Sequence, residues 1–366
     1  MSTPSFHRLR ITEKRRETAD SVSLAFAVPE SLRGQYQFSQ GQFLTLRGNV
    51  NGVPARRSYS ICVSVNDYRR RNELRVGIKR VHGGLFSNWI SECARVGEEM
   101  DVMTPDGRFF TPLDPAQTKH YVAFAGGSGI TPILSLIRTT LEIEPSSEFT
   151  LVYGNRSVSS IMFIEELEDL KNQYLGRFRL FHILSDEAQE IALFNGLLDR
   201  DRCDALLSEL IAPATIDEAF ICGPEPMMNA VEASLLANGV PRAQVHVERF
   251  GVPMPASGTK PNAIDTAGND AGKFAQVELI IEGKSRRLSV PLDGPGVLDV
   301  GLAAGIDLPF ACKGGVCCTC RAKVIEGSVR MDKNYTLEDW EINRGFVLTC
   351  QSHPTSDRVV ISYDER

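Results

Sequence analysis

Residues 312–320 read CKGGVCCTC and hold four of the chain's nine cysteines. Cys312, Cys317 and Cys320 fit the spacing C-x4-C-x2-C, and Cys350 follows in a later strand-like segment. Taking Cys318 in place of Cys317 gives C-x5-C-x-C instead. Gly314 and Gly315 lie between the first two thiols, where a backbone without Cβ atoms can curl and turn its amide N–H groups toward sulfur. The cysteine total is odd and mostly unpatterned, which does not make a disulfide framework. A dense thiol cluster in a reducing compartment points to metal.

Three readings of this loop compete. A structural zinc site usually shows paired C-x2-C spacings, which are not found here. Four unconnected thiols would leave the spacing without a cause. The third is the plant-type ferredoxin pattern, in which three thiolates on one loop and a distant fourth hold a 2Fe–2S cluster. Its full spacing is present, so Cys312, Cys317, Cys320 and Cys350 are the expected metal ligands and Cys318 the odd thiol out.

Outward from the loop, 366 residues suggest about two or three domains. Hydrophobic residues make up 42% and charged residues 23%, an ordinary globular mixture. The net charge of −6 argues against a general nucleic-acid partner. The basic run at 69–71 reads as a solvated loop. The opening MSTPSFHRLRI has no apolar h-region, and no apolar run is long enough to span a bilayer. A soluble, cytoplasmic chain with no membrane partner is expected.

Three regions separate by pattern. Residues 1–112 carry short β-type runs with turn residues between them and one helix near LFSNWISECA, which suggests an antiparallel barrel or sandwich. Residues 113–251 alternate strands such as YVAFAGG and FTLVYG with amphipathic helices, which implies a parallel sheet with helices on both faces. Residues 252–273 are rich in Pro, Gly, Ala, Asn and Asp and read as a flexible linker. Residues 274–366 form a third unit around the cysteine loop.

Within the second region, AFAGGSGITP at 123–132 joins a strand to a helix, where glycines allow close approach of a pyrophosphate at a helix N-terminus. Thr131 is expected as the N-cap and Pro132 as the first helical residue. An ordinary Gly-rich turn is the plain alternative, since the third glycine of G-x-G-x-x-G is replaced by Pro132. The next strand ends in YGNRS, which places Asn155, Arg156 and Ser157 where α/β sheets bind ligands. Arg156 and Ser157 suit a 2′-phosphate, which favours NADPH over NADH; an exposed loop arginine is the rival. A later strand ends in CGPEPMM, with Cys222 over the same crevice or else an inert buried thiol.

RSYS at 57–60 lies on a strand of the first region. Alternation puts Arg57 and Tyr59 on one face and Ser58 and Ser60 on the other. Arginine suits a pyrophosphate, tyrosine a flat ring, and a serine hydroxyl a ring nitrogen, though an ordinary amphipathic strand would look the same. GGLFSNW at 83–89 opens a helix, a second anion-binding start.

Taken in order, RSYS, GGLFS, GGSGITP, YGNR and CGPEPMM resemble the ferredoxin–NADP reductase superfamily. The C-terminal cysteine loop narrows the resemblance to oxygenase reductases that end in a plant-type ferredoxin domain. It implies an antiparallel β-barrel FAD domain, a Rossmann-like nucleotide domain and a β-grasp 2Fe–2S domain. FAD contacts are implied at Arg57, Ser58, Tyr59, Ser60, Ile78, Lys79, Gly83, Gly84, Leu85, Phe86 and Ser87, with Ser60 near the reactive flavin nitrogen. Gly127, Ser128, Gly129, Thr131, Asn155, Arg156, Ser157, Gly223, Pro224 and Met227 are implied in the nucleotide crevice. Cys222 would sit near the nicotinamide, and Glu248 and Phe250 would close the site. Ser60, Cys222 and Glu248 are the implied catalytic residues. One departure is Gln40, where the family usually has proline.

The implied activity is an electron relay from NADPH through FAD and a 2Fe–2S cluster to a separate oxygenase, a di-iron protein of a multicomponent complex acting on an aromatic acyl-CoA. Asp332, Glu338, Asp339 and Glu341 are a candidate acidic docking face, against a solvated helix capped by Thr336. Rivals are the same reductase serving another oxygenase or a hybrid-cluster protein. A redox-sensing or zinc-stabilised nucleotide-binding module is a rival of a different class.

Overall fold

The computed structural model describes residues 5–250 and 274–365. The expected linker, 252–273, lies outside the described residues. Residues 6–250 and the C-terminal segment cluster as two separate compact units.

The first unit opens with six antiparallel strands: β1 (Phe6–Thr18), β2 (Ser21–Ala27), β3 (Phe43–Val50), β4 (Val53–Ser60), β5 (Glu73–Lys79) and β6 (Glu99–Met103). They lie in the order β4-β3-β6-β1-β2-β5. A bridge between Ile61 and Val76 draws the two edges together into a barrel. Two helices interrupt the strands, α1 (Val65–Arg71) and α2 (Leu85–Cys93). Helix α1 replaces the solvated loop expected around the basic run. That run forms the last turn of α1, where cations favour the helix C-terminus, and Arg70 pairs with Asp67 at 2.7 Å. Gln40 is buried and donates to the Thr111 carbonyl at 2.8 Å, so it ties down its loop from inside.

Five parallel strands follow: β7 (His120–Gly126), β8 (Glu148–Asn155), β9 (Phe178–Leu184), β10 (Glu218–Cys222) and β11 (Val245–Glu248). Their order is β11-β10-β7-β8-β9. The helices between them are α3 (Ile130–Ile143), α4 (Ile164–Gln173), α5 (Arg200–Glu209) and α6 (Glu225–Ala237). The chain reverses direction across the sheet between β7 and β10, which opens a crevice at their carboxyl ends. Apolar side chains on both faces of the sheet pack against helices, so β7 reads as a near-continuous buried run.

The barrel and the parallel sheet are locked together. Ser135 of α3 donates to the Val63 carbonyl at 2.7 Å. Glu166 of α4 accepts from Arg75 of β5 at 2.6 Å and from Arg138 of α3 at 2.5 Å. Burial alone would raise the Glu166 pKa, but the two guanidiniums outweigh it and hold the carboxyl below its usual range.

The second unit has a mixed sheet of β12 (Phe274–Ile281), β13 (Lys284–Pro291), β14 (Arg321–Glu326), β16 (Phe346–Leu348) and β18 (Arg358–Ser362), in the order β13-β12-β18-β14-β16. The pair β15 (Val329–Met331) and β17 (Ser352–Pro354) lies beside it, with helices α7 (Val297–Ala303) and α8 (Asp339–Asn343). Val297 and Leu298 of α7 enter the same core as Val277, Leu279, Leu348 and Ile361 from the strands. Among the described residues no helix is long and apolar enough to cross a membrane.

Candidate functional site

In the second unit the cysteine loop curls tightly. Lys313, Gly315 and Cys318 all take positive φ, and a Cβ on Gly315 would stand 2.9 Å from the Lys333 carbonyl oxygen. The curl turns amides onto sulfur, as N–H groups of Gly314 and Cys317 donate to Cys312 Sγ at 3.3 and 3.4 Å. Four thiols converge two by two, Cys312 with Cys317 and Cys320 with Cys350. The hydrogen bond from Cys317 pulls the Cys312 thiol down and pushes Cys317 up. Cys320 likewise holds Cys350 down. Cys318 turns away, with its sulfur 2.9 Å from the Thr336 hydroxyl.

Thr336 therefore does not cap α8. Glu338 is the N-cap, in a capping box with Glu341. The expected acidic face is divided accordingly. Glu341 is fully buried against Arg321, and Asp332 is engaged by His353 at 2.9 Å. Glu338 and Asp339 remain exposed.

In the first unit the crevice is built from glycines. A Cβ on Gly129 would stand 2.0 Å from the Cys222 carbonyl oxygen, and one on Gly126 would meet Pro224 and Met227 at 2.6 and 2.7 Å. The loop after β7 and the turn after β10 thus touch backbone to backbone. Gly129, not Thr131, caps α3, and a short turn over Gly127–Gly129 precedes it. Thr131 lies inside the first helical turn, buried, and donates to the Ser128 carbonyl at 3.0 Å. Its methyl group would stand 2.6 Å from a Cβ on Gly77 of β5, so glycine there lets the two sheets approach.

Cys222 is completely buried, and burial pushes its thiol well up. It pairs in register with Glu248 on β11. Pro224 is the N-cap of α6, Met227 is buried behind it, and Phe250 is exposed at the end of the described segment. Asn155 lies at the carboxyl end of β8, with its side chain against the Tyr153 hydroxyl. Arg156 is exposed and reaches Asp20 at 3.8 Å. Ser157 faces inward on its own chain, capping the turn at 158–160.

On the barrel side, Tyr59 stacks on Phe86 with centroids 6.4 Å apart and planes 18° apart. Ser58 bonds Thr45 at 3.2 Å, on the opposite face as the alternation requires. Ser60 and Ile78 are buried, and the exposed Arg57 bonds the Arg56 carbonyl. Lys79 lies 3.7 Å from Asp20. Gly83 takes φ +69 in open space, with Gly84 capping α2 and Leu85 exposed. Phe86 and Ser87 are buried instead, Phe86 in the barrel core and Ser87 accepting the Val81 N–H at 3.1 Å.

Two contributors carry no motif. Asp20 sits in the turn between β1 and β2, and its carboxylate lies between Lys79 and Arg156. Tyr153 of β8 donates from its buried hydroxyl to the Gly127 carbonyl at 2.8 Å, fixing the glycine loop from below. Its place two residues before Asn155 was the available signal, masked by the apolar run of the core strand around it.

The chain matches an oxidoreductase FAD-binding domain over residues 8–111, an oxidoreductase NAD-binding domain over 124–233 and a 2Fe-2S iron-sulfur cluster binding domain over 279–355. It is 41% identical, over 99% of both chains, to one of the subunits of 1,2-phenylacetyl-CoA epoxidase from Escherichia coli. The chain belongs to the ferredoxin-reductase-type reductase components of oxygenases. Among other members, it is 34% identical to the ferredoxin reductase component of 3-ketosteroid-9-alpha-monooxygenase from Rhodococcus rhodochrous, covering 95% of this chain and 94% of that one. The solved phthalate dioxygenase reductase superposes with a TM-score of 0.60 at 25% identity, over 98% of both chains.

As an oxygenase reductase the chain binds FAD, a nicotinamide nucleotide and a 2Fe–2S cluster, and its donor sets fit them. The converging thiols, with backbone amides turned onto Cys312 and Cys317, suit an iron–sulfur cluster. The glycine-lined crevice, where backbone meets backbone at Gly129 and Cys222, suits a nucleotide.

Proposed function

We propose that this chain passes electrons from NADPH to the di-iron oxygenase of a phenylacetyl-CoA epoxidase complex, in aerobic phenylacetate degradation. The observation that carries the reading is the full-length likeness to the Escherichia coli epoxidase component. Residues 1–112 would hold FAD, 113–251 the nucleotide and 274–366 the cluster. Thiol ligands that must stay reduced support a cytoplasmic location.

Bound FAD supplies the conversion of a hydride into single electrons, and a bound 2Fe–2S cluster supplies a one-electron exit. The chain's task is to hold these groups. Arg57 and the open turn at Gly83–Gly84, with Leu85, Phe86 and Ser87 behind it, would receive the flavin pyrophosphate. Ser58, Tyr59, Ile78 and Lys79 would line its ring, with Ser60 bonding a ring nitrogen. Gly127, Ser128, Gly129 and Thr131 would border the nucleotide, and Gly223, Pro224 and Met227 would form the facing wall. Cys222 and Glu248 would flank the nicotinamide, with Phe250 as its cover. Asn155, Arg156 and Ser157 would take the ribose and 2′-phosphate end, which supports NADPH. Cys312, Cys317, Cys320 and Cys350 would ligate the irons.

A second reading, service to a different oxygenase, draws on the 3-ketosteroid-9-alpha-monooxygenase relative. Anaerobic titration of the loaded protein with NADPH, followed by visible absorbance and EPR, tests the relay. Flavin bleaching and a rhombic reduced-cluster signal are the expected result; silence with both NADPH and NADH would remove it. Adding the purified oxygenase components of the epoxidase with phenylacetyl-CoA then tests the acceptor, since absence of NADPH-dependent product would favour the second reading.

A further inference from the structure

Arg321 and Glu341 form an ion pair at 2.9 Å with side chains 9% and 0% exposed. Removing two charges from water is costly, and apolar residues of similar volume often serve stability as well or better. Stability is therefore a weak reason for this pair, and its position suggests another. Arg321 is the residue after Cys320, and its amide donates to the Cys318 carbonyl at 2.9 Å. Its guanidinium carbon lies 3.5 Å from the centre of the Phe346 ring. Phe346 opens β16, which pairs with β14 and runs into Thr349 and Cys350. Thr349 bonds the Cys320 carbonyl through both its amide and its hydroxyl, at 3.2 and 3.0 Å. Glu341 is held in turn by the Glu338 amide at 3.2 Å. The charged pair is thus one residue along the chain from Cys320, and its ring partner Phe346 lies four residues before Cys350.

We propose that the buried Arg321–Glu341 pair tunes the reduction potential of the 2Fe–2S cluster, with Arg321 as a positioning residue beside Cys320 and Glu341 as its counter-charge. Reduction adds one negative charge to the cluster. A buried cation favours that state and a buried anion opposes it, and neither is screened as it would be in water. The proposal rests on the 2Fe–2S reading of the cysteines.

The test is an EPR-monitored potentiometric titration of the full, cluster-loaded chain. Glu341→Gln leaves the guanidinium without its counter-charge and shifts the midpoint to more positive potential. Arg321→Met shifts it to more negative potential. Arg321→Lys keeps the charge and stays closer to the unaltered protein than Arg321→Met does. A role in packing alone would move Lys and Met together, because both lose the planar fork and its stacking on Phe346. Singles that shift in the same direction, or not at all, overturn the proposal. If Arg321→Met does not load iron, the double variant Arg321→Met/Glu341→Leu removes both charges and must titrate at more negative potential than Glu341→Gln; a matching potential overturns it equally. Absence of any reduced-cluster signal from the unaltered protein would instead refute the underlying reading.

Discussion

The cysteine loop and the nucleotide crevice both gather groups at one point, but by different routes. In the loop, three of the four thiols lie within nine residues, and local backbone geometry brings them together. In the crevice, Gly126–Gly129, Tyr153–Arg156 and Cys222–Pro224 arrive from three strands, joined by backbone contacts that leave no room for a Cβ. A local site is robust to distant change and sensitive to its own ligands. A site assembled from afar depends on packing that no single motif records.

The largest effect should come from the loop. Cys350→Ser removes the one distant thiol, and the cluster should be lost or badly destabilised while FAD stays bound and is still bleached by NADPH. Visible absorbance and EPR separate the two, and a native-like cluster in this variant would show that Cys350 is not an essential ligand. The crevice comes next. Gly129→Ala forces a methyl group to within 2.0 Å of the Cys222 carbonyl oxygen. Overpacking of this kind costs about 1–3 kcal/mol, and stopped-flow flavin reduction by NADPH should slow by about tenfold or more. The cluster should still be reduced by dithionite, and an unchanged flavin reduction rate would show that the close approach of the two loops is dispensable.

Arg156 tests the rim of the crevice. Losing a charge-assisted bond to a phosphate costs about 1.5–3 kcal/mol when buried, and less at this exposed position. Arg156→Ala should raise the NADPH KM by about tenfold at most and the NADH KM little. Asp20→Asn should act in the opposite sense, lowering the NADPH KM by about two- to threefold, because its carboxylate no longer competes with phosphate for Arg156. Equal changes with both nucleotides would sink the 2′-phosphate assignment.

What was legible in the sequence follows the same division. The thiol spacing and the strand–helix rhythm are local signals; the antiparallel barrel and the parallel sheet that the rhythm pointed to are present, and the third fold was implied by the family resemblance. Helix α1 was missed because VNDYRRR has only two buried positions, Val65 and Tyr68, and no amphipathic stripe to announce it. The cap of α3 shifted because the chain begins to wind before Thr131, in the turn over Gly127–Gly129. Glu341 read as a surface acid because nothing nearby in sequence showed that Arg321, twenty residues earlier, would meet it in the core. Asp20 and Tyr153 act through partners far along the chain, and a single sequence gives no sign of such pairings.

The smallest effect should come from Cys318. Its backbone takes φ +56, and its sulfur lies 2.9 Å from the Thr336 hydroxyl. Serine offers a similar size and can make the same hydrogen bond, so Cys318→Ser should leave cluster absorbance and the EPR signal of the reduced state unchanged, with stability altered by no more than about 0.5–1.5 kcal/mol. Cys317→Ser, one residue away and inside the Cys312 pair, should abolish or grossly change both signals. If the two variants exchanged these outcomes, the curl of the loop would present the other neighbour to the irons. If both retained a native cluster, either thiol could serve as the ligand, and the spacing argument would fix only three of the four positions.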